Sequence, residues 1–246
     1  MIDVAVHGAE GRMGRLVTAL VEGADDCRLV GLVGEPGRRL PPGDLHPTLP
    51  LVGQDRLADE LPAGCVIVDF SLAPALAGLL AGASALGSPL VIGTTGYDED
   101  QQARLAAHAD RLAVVHAANF SVGIPALQML LQLLARTLPA GFDAEQTETH
   151  HVTKRDRPSG TARTLAAAWQ RLRGGETPPT HSLRVGGVVG EHTWTLADAE
   201  ETLVLTHRAH SRQAFLRGVL PSVRFAAAAG PGLHDLGDVL RGLGQA

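Results

Sequence analysis

The sequence predicts an α/β protein: an N-terminal Rossmann-type parallel-sheet domain with an inserted α+β domain built on a mixed sheet. Three observations lead there. The first half of the 246-residue chain alternates short apolar runs with helical patterns. A turn of regularly spaced glycines follows the first run directly. Beyond residue 121 the pattern changes to strands of alternating polarity.

The elements follow in order. Ile2–His7 reads as a strand and 12–21 as a helix. Residues 28–33 form a second strand and 66–70 a third, followed by a helix over 74–86. Leu90–Ile92 is the fourth strand, Glu99–Ala109 a helix and 112–116 the fifth strand. These runs are apolar on both faces, as strands covered by helices on each side must be. The Pro/Gly-rich stretch 36–50 is a loop. After it 124–137 is an apolar helix, 143–148 a strand and 161–173 another helix. Segments near 182–185, 192–196 and 202–207 have the alternation of an antiparallel sheet. Residues 212–229 look helical, and the tail from Gly232 is short and mixed. The expected layout is a dinucleotide-binding domain of residues 1–120 and 216–246, with a second domain over 121–215.

Composition narrows the function classes. The formal charge is −5, with no basic stripe to bind nucleic acid, and no apolar stretch is long enough to cross a bilayer. The N-terminus lacks the basic flank and long apolar run of a signal peptide, so the cytoplasm is the expected compartment. Cys27 and Cys65 sit in apolar strand-like segments and read as small buried hydrophobes, not a disulfide or metal pair.

Gly8-Ala9-Glu10-Gly11-Arg12-Met13-Gly14 joins the first strand to the first helix. Glycines at this spacing let main-chain N–H groups approach a pyrophosphate at the positive end of the helix dipole. The spacing G-x-x-G-x-x-G also suits a glycine-rich turn with no ligand. Glu35, at the end of the second strand, stands where an acid would accept hydrogen bonds from an adenosine ribose; alone it reads equally as a solvated loop carboxylate. Arg38 and Arg39 are positioned either for a 2′-phosphate or for solvent.

The richest segment runs from Glu148 to Ala162, with His150, His151, Lys154, Arg155, Asp156 and Arg157 ahead of Pro158-Ser159-Gly160-Thr161. The Ser-Gly-Thr helix start offers unpaired N–H groups to an anion, and the cationic residues before it suit a small substrate bearing carboxylates. Histidine is the natural proton carrier near neutral pH. Of the 21 Lys and Arg residues only Lys154 is lysine, which points to a need for a compact ammonium that arginine would not meet. A solvated charge run with a helix cap is the plainer alternative. A metal held by Glu148, His150 and His151 is disfavoured, because adjacent histidines project differently.

Together these segments resemble the 4-hydroxy-tetrahydrodipicolinate reductase family over nearly the whole chain. The glycine loop is similar to the family's cofactor loop. Val68-Asp69-Phe70-Ser71 with Pro74 resembles its D-F-[ST]-x-P segment, and Gly93-Thr94-Thr95-Gly96 and Ala117-Ala118-Asn119-Phe120 its two strand-end loops. Residues 148–162 resemble E-x-H-H-x-x-K-x-D-x-P-S-G-T-A, and Val189-Gly190-Glu191-His192-Thr193 a further segment.

The resemblance implies NADH- or NADPH-dependent reduction of a cyclic dicarboxylate in lysine biosynthesis, by a homotetramer assembled through the second domain. It assigns Gly8, Ala9, Glu10, Gly11, Arg12 and Met13 to the pyrophosphate and Glu35 to the adenosine ribose. Gly93, Thr94 and Thr95, with Ala117, Ala118, Asn119 and Phe120, would position the nicotinamide. His150 and Lys154 would handle protons; His151, Lys154, Gly160 and Thr161 would bind carboxylates. Some members carry arginine directly after the ribose-binding acid, where this chain has Pro36, so both cofactors are expected with NADH at least competitive. The rivals are an amino-acid or diamine dehydrogenase, a nonenzymatic dinucleotide sensor and a metal-dependent hydrolase. None of them requires the complete His-His, Lys and Ser-Gly-Thr set.

Overall fold

The computed structural model describes residues 1–243. The chain divides into two compact units, one made of Met1–Phe120 and the segment from Phe215 onward, the other of Ser121–Ala214.

The first unit contains β1 (Ile2–His7), α1 (Arg12–Glu22), β2 (Cys27–Gly34), β3 (Leu51–Gly53), α2 (Leu57–Glu60), β4 (Val66–Asp69), α3 (Leu76–Leu86), β5 (Leu90–Ile92), α4 (Glu99–Ala109) and β6 (Ala113–His116). The second contains α5 (Gly123–Thr137), β7 (Asp143–His150), α6 (Gly160–Arg173), β8 (Thr180–Arg184), β9 (Gly190–Ala197) and β10 (Thr202–Ala209). The chain then completes the first unit with α7 (Val219–Ala228), β11 (Gly232–His234) and α8 (Leu236–Leu243).

The first unit's seven strands are all parallel, in the order β11-β6-β5-β4-β1-β2-β3. Strand period explains the doubly apolar runs. Val4, Val6, Val68, Val91 and Val115 face one core with Val17, Val219 and Val223. Ala5, Ile67, Leu90 and Val114 face the opposite core with Leu57, Leu79 and Leu105. Each fully buried aliphatic side chain contributes roughly 1.5–3 kcal/mol of transfer free energy. The chain leaves β1 toward β2 and β3, then crosses back to β4. That reversal creates the crevice at the carboxyl ends of β1 and β4 where open α/β sheets bind ligands.

The second unit's sheet has the order β10-β9-β7-β8. β9 is antiparallel to both its neighbours, as the alternating pattern suggests, and β8 runs parallel to β7, which makes the sheet mixed, as expected. The reason lies in the connection: α6 stands between β7 and β8, and a crossover of that length returns the chain in the same direction. Leu127, Leu131 and Ala135 form one stripe of α5 and meet Leu165 and Trp169 of α6 over Trp194 and Leu196 of β9. The two tryptophan rings lie 5.7 Å apart.

Other departures are local. The stretch 212–229 is not one helix: a 3-10 turn over Arg212–Leu216 precedes α7. The chain breaks at Gly218, whose N–H donates to the Phe120 carbonyl at 2.7 Å. A Cβ there would lie 2.8 Å from that oxygen, so only glycine permits the approach. The tail contributes β11 and α8, and β3 and α2 follow the Pro/Gly-rich loop; β3, α2 and β11, of three or four residues each, are too short to display a period.

Candidate active site

The carboxyl ends of β1, β2 and β4 surround a cavity of about 590 Å³, lined by Gly8, Glu10, Gly11, Glu35, Phe70 and Ser71 among others. The glycines that build its floor have distinct reasons to be glycine. Gly8 has a positive φ of 77°, and a Cβ on it would fall 2.6 Å from the Phe70 carbonyl oxygen. A Cβ on Gly14 would come within 2.1 Å of the Gly8 oxygen, so α1 seats directly on the turn. Gly11 precedes α1 with no side-chain cap, which leaves the first-turn N–H groups to a ligand. A mononucleotide with its phosphate over α1 fits this arrangement. Glu35 is exposed at the β2 end, and Arg12 is exposed on the first turn of α1.

A buried polar knot braces this end of the sheet. The Asp69 carboxylate, fully buried, meets His7 Nδ1 at 2.7 Å and accepts from Thr94 Oγ1 at 2.6 Å and from the Ser71 N–H at 3.2 Å. It fastens together the turns that follow β1, β4 and β5. Thr94 therefore turns its hydroxyl inward, while its neighbour Thr95 is exposed. Gly93 is tied by its N–H to the Asp69 carbonyl at 2.8 Å, and a Cβ there would strike the Phe70 ring at 2.2 Å. After β6, Ala117 and Asn119 are half-buried and Ala118 is exposed. Phe120 is wholly buried, its ring 5.8 Å from that of Phe70.

The 148–162 segment is organised by strand alternation. Gln146, Glu148 and His150 of β7 share the buried face of the sheet with His192, Trp194 and Leu196 of β9. Glu148 has no exposed surface. Arg184 grips it with both arms, Nη2 to Oε1 at 2.8 Å and Nη1 to Oε2 at 2.9 Å. His150 Nδ1 bonds to Glu148 Oε2, and the Ser159 N–H reaches Oε1 at 3.3 Å.

The same guanidinium supports the polar loop after β7. Arg184 Nε donates to the Lys154 carbonyl at 3.2 Å, and Nη2 donates to the Asp156 carbonyl. Ser159 caps α6 through its Oγ, which accepts from the Ala162 N–H and lies 3.2 Å from His192 Nε2. The rings of His150 and His192 meet edge to face at 5.3 Å.

Protonation follows from these contacts. Burial pushes the Glu148 carboxyl up, but hydrogen bonds from Arg184 and His150 outweigh it and leave Glu148 below the ordinary range. Burial lowers His150, and the opposing pull of the Glu148 carboxylate does not restore it. Burial and the charges around it bring His192 down to about 4. Lys154 is half-buried, its Nζ 2.8 Å from Asp156 Oδ1. His151 is also half-buried, with Nδ1 2.7 Å from the Thr153 hydroxyl. Gly160 and Thr161 occupy the first turn of α6. A Cβ on Gly160 would meet nothing nearer than Arg163 at 3.8 Å, so the fold itself places no demand for glycine there.

The structure thus gathers His150, Lys154 and the α6 start around one brace, and Gly8, Gly11 and Glu35 around one cavity. Sequence reasoning missed Arg184, His192, His7 and Asp69 as parts of these sites. In the sequence the Gly190-Glu191-His192 segment and Asp69 stand out only as letters of a motif. Among the described residues no group of three or more His, Cys, Asp or Glu side chains is arranged to hold a metal, and no helix is long and apolar enough to cross a membrane.

Comparison with known proteins gives a consistent result. Residues 2–120 match the family model described as dihydrodipicolinate reductase, N-terminus, and residues 123–240 the one described as dihydrodipicolinate reductase, C-terminus. The chain is 37% identical to 4-hydroxy-tetrahydrodipicolinate reductase of Thiobacillus denitrificans, across 97% of this chain and 98% of that one. It is 39% identical to the enzyme of the same name from Xanthomonas euvesicatoria, over the same shares of the two chains. In fold it resembles the dipicolinate-bound dihydrodipicolinate reductase from Paenisporosarcina sp. TG-14, with a TM-score of 0.81 at 23% identity, covering 96% of this chain and 97% of that one.

Proposed function

The chain belongs to the dihydrodipicolinate reductase family, oxidoreductases that use a nicotinamide cofactor for the reduction step of lysine and diaminopimelate biosynthesis, and from that premise we propose how its residues divide the work. The reaction is reduction of (2S,4S)-4-hydroxy-2,3,4,5-tetrahydrodipicolinate to (S)-2,3,4,5-tetrahydrodipicolinate, with loss of water.

The observation that carries the assignment is the Glu148–Arg184 brace, which holds His150, the Lys154 loop and the start of α6 in one rigid arrangement. His151, Lys154 and the N–H groups of Gly160 and Thr161 bind the substrate carboxylates. The open space at Gly160 supports this, because a ligand oxygen needs the room that a side chain would take. With its Nδ1–H committed to Glu148, neutral His150 exchanges protons through Nε2. Lys154, released from Asp156 by an incoming carboxylate, supplies a proton and stabilises negative charge on the ring.

In the other unit, Gly8 to Met13 hold the pyrophosphate and Glu35 the adenosine ribose. Gly93, Thr94, Thr95 and Ala117 to Phe120 shape the nicotinamide end, with Thr94 and Phe120 acting from inside the fold. When bound, the reduced nicotinamide supplies the hydride that adds to ring C4 of the dehydrated substrate. His150 and Lys154 then hold the proton delivered to the adjacent carbon.

Both NADH and NADPH serve, with NADH at least competitive. The support is that Arg38 is engaged by Glu10, and Pro36 takes the place of a guanidinium. We place the enzyme in the cytoplasm as a homotetramer. The second face of the four-stranded sheet, with Thr147, Thr149, Thr193, Thr195 and exposed Val204, carries no helix of its own unit and offers a surface for another copy. Light scattering during size exclusion measures that state, and a monomer would remove the proposal.

The activity is tested by generating the unstable substrate in place. The preceding synthase, pyruvate and aspartate semialdehyde are mixed with this protein, and loss of NADH and NADPH absorbance is followed. Oxidation that depends on both synthase and protein supports the assignment; none with either cofactor defeats it.

A further inference from the structure

Resting on the assignment of the cavity to the adenosine end of the dinucleotide, we propose that Glu10 sets the choice between NADH and NADPH by holding Arg38. Three charged groups gather where β2 ends. The Arg38 N–H donates to the Glu35 carbonyl at 3.0 Å, so the Arg38 main chain is fixed beside the ribose-binding acid. Its side chain turns toward the phosphate loop. Arg38 Nη2 and Nε lie 3.0 and 3.2 Å from Glu10 Oε1, and Nε lies 3.4 Å from Oε2. Their crossing point is Gly34, where a Cβ would meet Glu10 Oε2 at 3.1 Å and the Arg38 chain at 3.3 Å. Glu10, Gly34 and Glu35 all line the cavity.

Two other guanidinium groups are already directed elsewhere: Arg39 Nη1 lies 3.6 Å from Glu60 Oε1, and Arg15 Nε donates to the Glu10 carbonyl at 3.2 Å. A ribose 2′-hydroxyl meets no obstacle here, since Glu35 accepts its hydrogen bond. A 2′-phosphate meets two carboxylates and one guanidinium whose Nε–Nη2 edge is already occupied by Glu10. The Glu10–Arg38 pair is solvent-accessible and contributes little to stability, so it acts through selectivity and not through folding. Neutralising Glu10 both releases Arg38 and removes a repelling charge.

Dissociation constants for NADH and NADPH, measured by calorimetry without turnover, test this in the parent, Glu10→Gln, Glu10→Gln/Arg38→Ala and Glu35→Gln proteins. Glu10→Gln is expected to raise the NADPH-to-NADH affinity ratio about tenfold, a gain that shrinks at high salt and falls in the double variant to the small part owed to lost repulsion. An unchanged ratio in Glu10→Gln, or a gain that survives undiminished without Arg38, overturns the proposal. Glu35→Gln separates the two levels. Weakened NADH binding supports the adenosine assignment, so a flat Glu10→Gln result beside it condemns the selectivity proposal alone. Unaltered binding of both dinucleotides in Glu35→Gln overturns the assignment and the proposal together.

Discussion

In the seven-stranded unit the candidate site is made chiefly of main chain, from Gly8, Gly11 and the uncapped start of α1, whereas in the four-stranded unit it is made of ionised side chains sunk against a helical core. The first arrangement presents polarity without burying a charge in its binding loop, and its buried knot of His7, Asp69 and Thr94 stands behind that loop. The second places Glu148 and Arg184 almost out of contact with water and balances them against each other. A main-chain cradle tolerates changes in side chains around it. A buried ion pair tolerates the loss of neither partner, because the survivor is left charged in a medium that solvates it poorly.

The sharpest way to break this contrast is at the chemistry itself. Lys154→Ala is expected to lower kcat by roughly 10²–10⁴-fold while leaving NADH affinity intact, and His150→Gln by roughly 10²-fold. Steady-state assays beside dinucleotide titration check the split; parent-like turnover in both variants removes them from the mechanism.

Next in size is Arg184→Ala, which strands Glu148. It is expected to cost about 3–5 kcal/mol in urea unfolding, and a loss below about 1 kcal/mol would show that the pair is not the brace described.

Acid sharpens the comparison further, because the imidazole that burial lowers most, His192, belongs to the four-stranded unit. His192 falls from an ordinary 6.5 to about 4 on folding, so the folded state binds fewer protons than the unfolded chain between those values. Its stabilising effect is complete above pH 6.5 and is lost as pH falls toward 4. At pH 5 the loss is roughly 2 kcal/mol. Melting curves should decline across that window and flatten in His192→Gln. An equal decline in the variant would assign the effect elsewhere.

The smallest effect belongs to the main-chain site. Gly11→Val, whose Cβ is within 3.2 Å of the Gly8 oxygen, should weaken dinucleotide binding about tenfold, or about 1.4 kcal/mol, without affecting the four-stranded unit.

The same contrast explains what could be read in advance. The glycine loop is contiguous and its meaning is local: a strand, a turn that needs positive φ, a helix. The long strands and helices announced themselves through apolar period. The buried brace did not. Arg184 lies 36 residues beyond Glu148, and nothing in the sequence distinguishes it from the other nineteen arginines. His7 and Asp69 are 62 residues apart and meet only because β1 and β4 are neighbours in the sheet. Thr94 and Phe120 were recognised as part of the strand-end loops, but their inward orientation depends on packing that only three dimensions supply. The break at Gly218 was hidden for the same reason, being set by the approach of Phe120.

Alternation in β7 carries a consequence for how the chain can change in length. Glu148 and His150 reach the helical side only because their positions share parity with Gln146, while Thr147 and Thr149 look the other way. Insertion of a single residue early in that strand, if absorbed by sliding the pairing, would turn the carboxylate and imidazole outward and present threonines to Arg184. Insertion of two would restore their direction. Reductive chemistry in this molecule is therefore sensitive to whether an insertion is odd or even, a constraint that loops elsewhere in the chain escape.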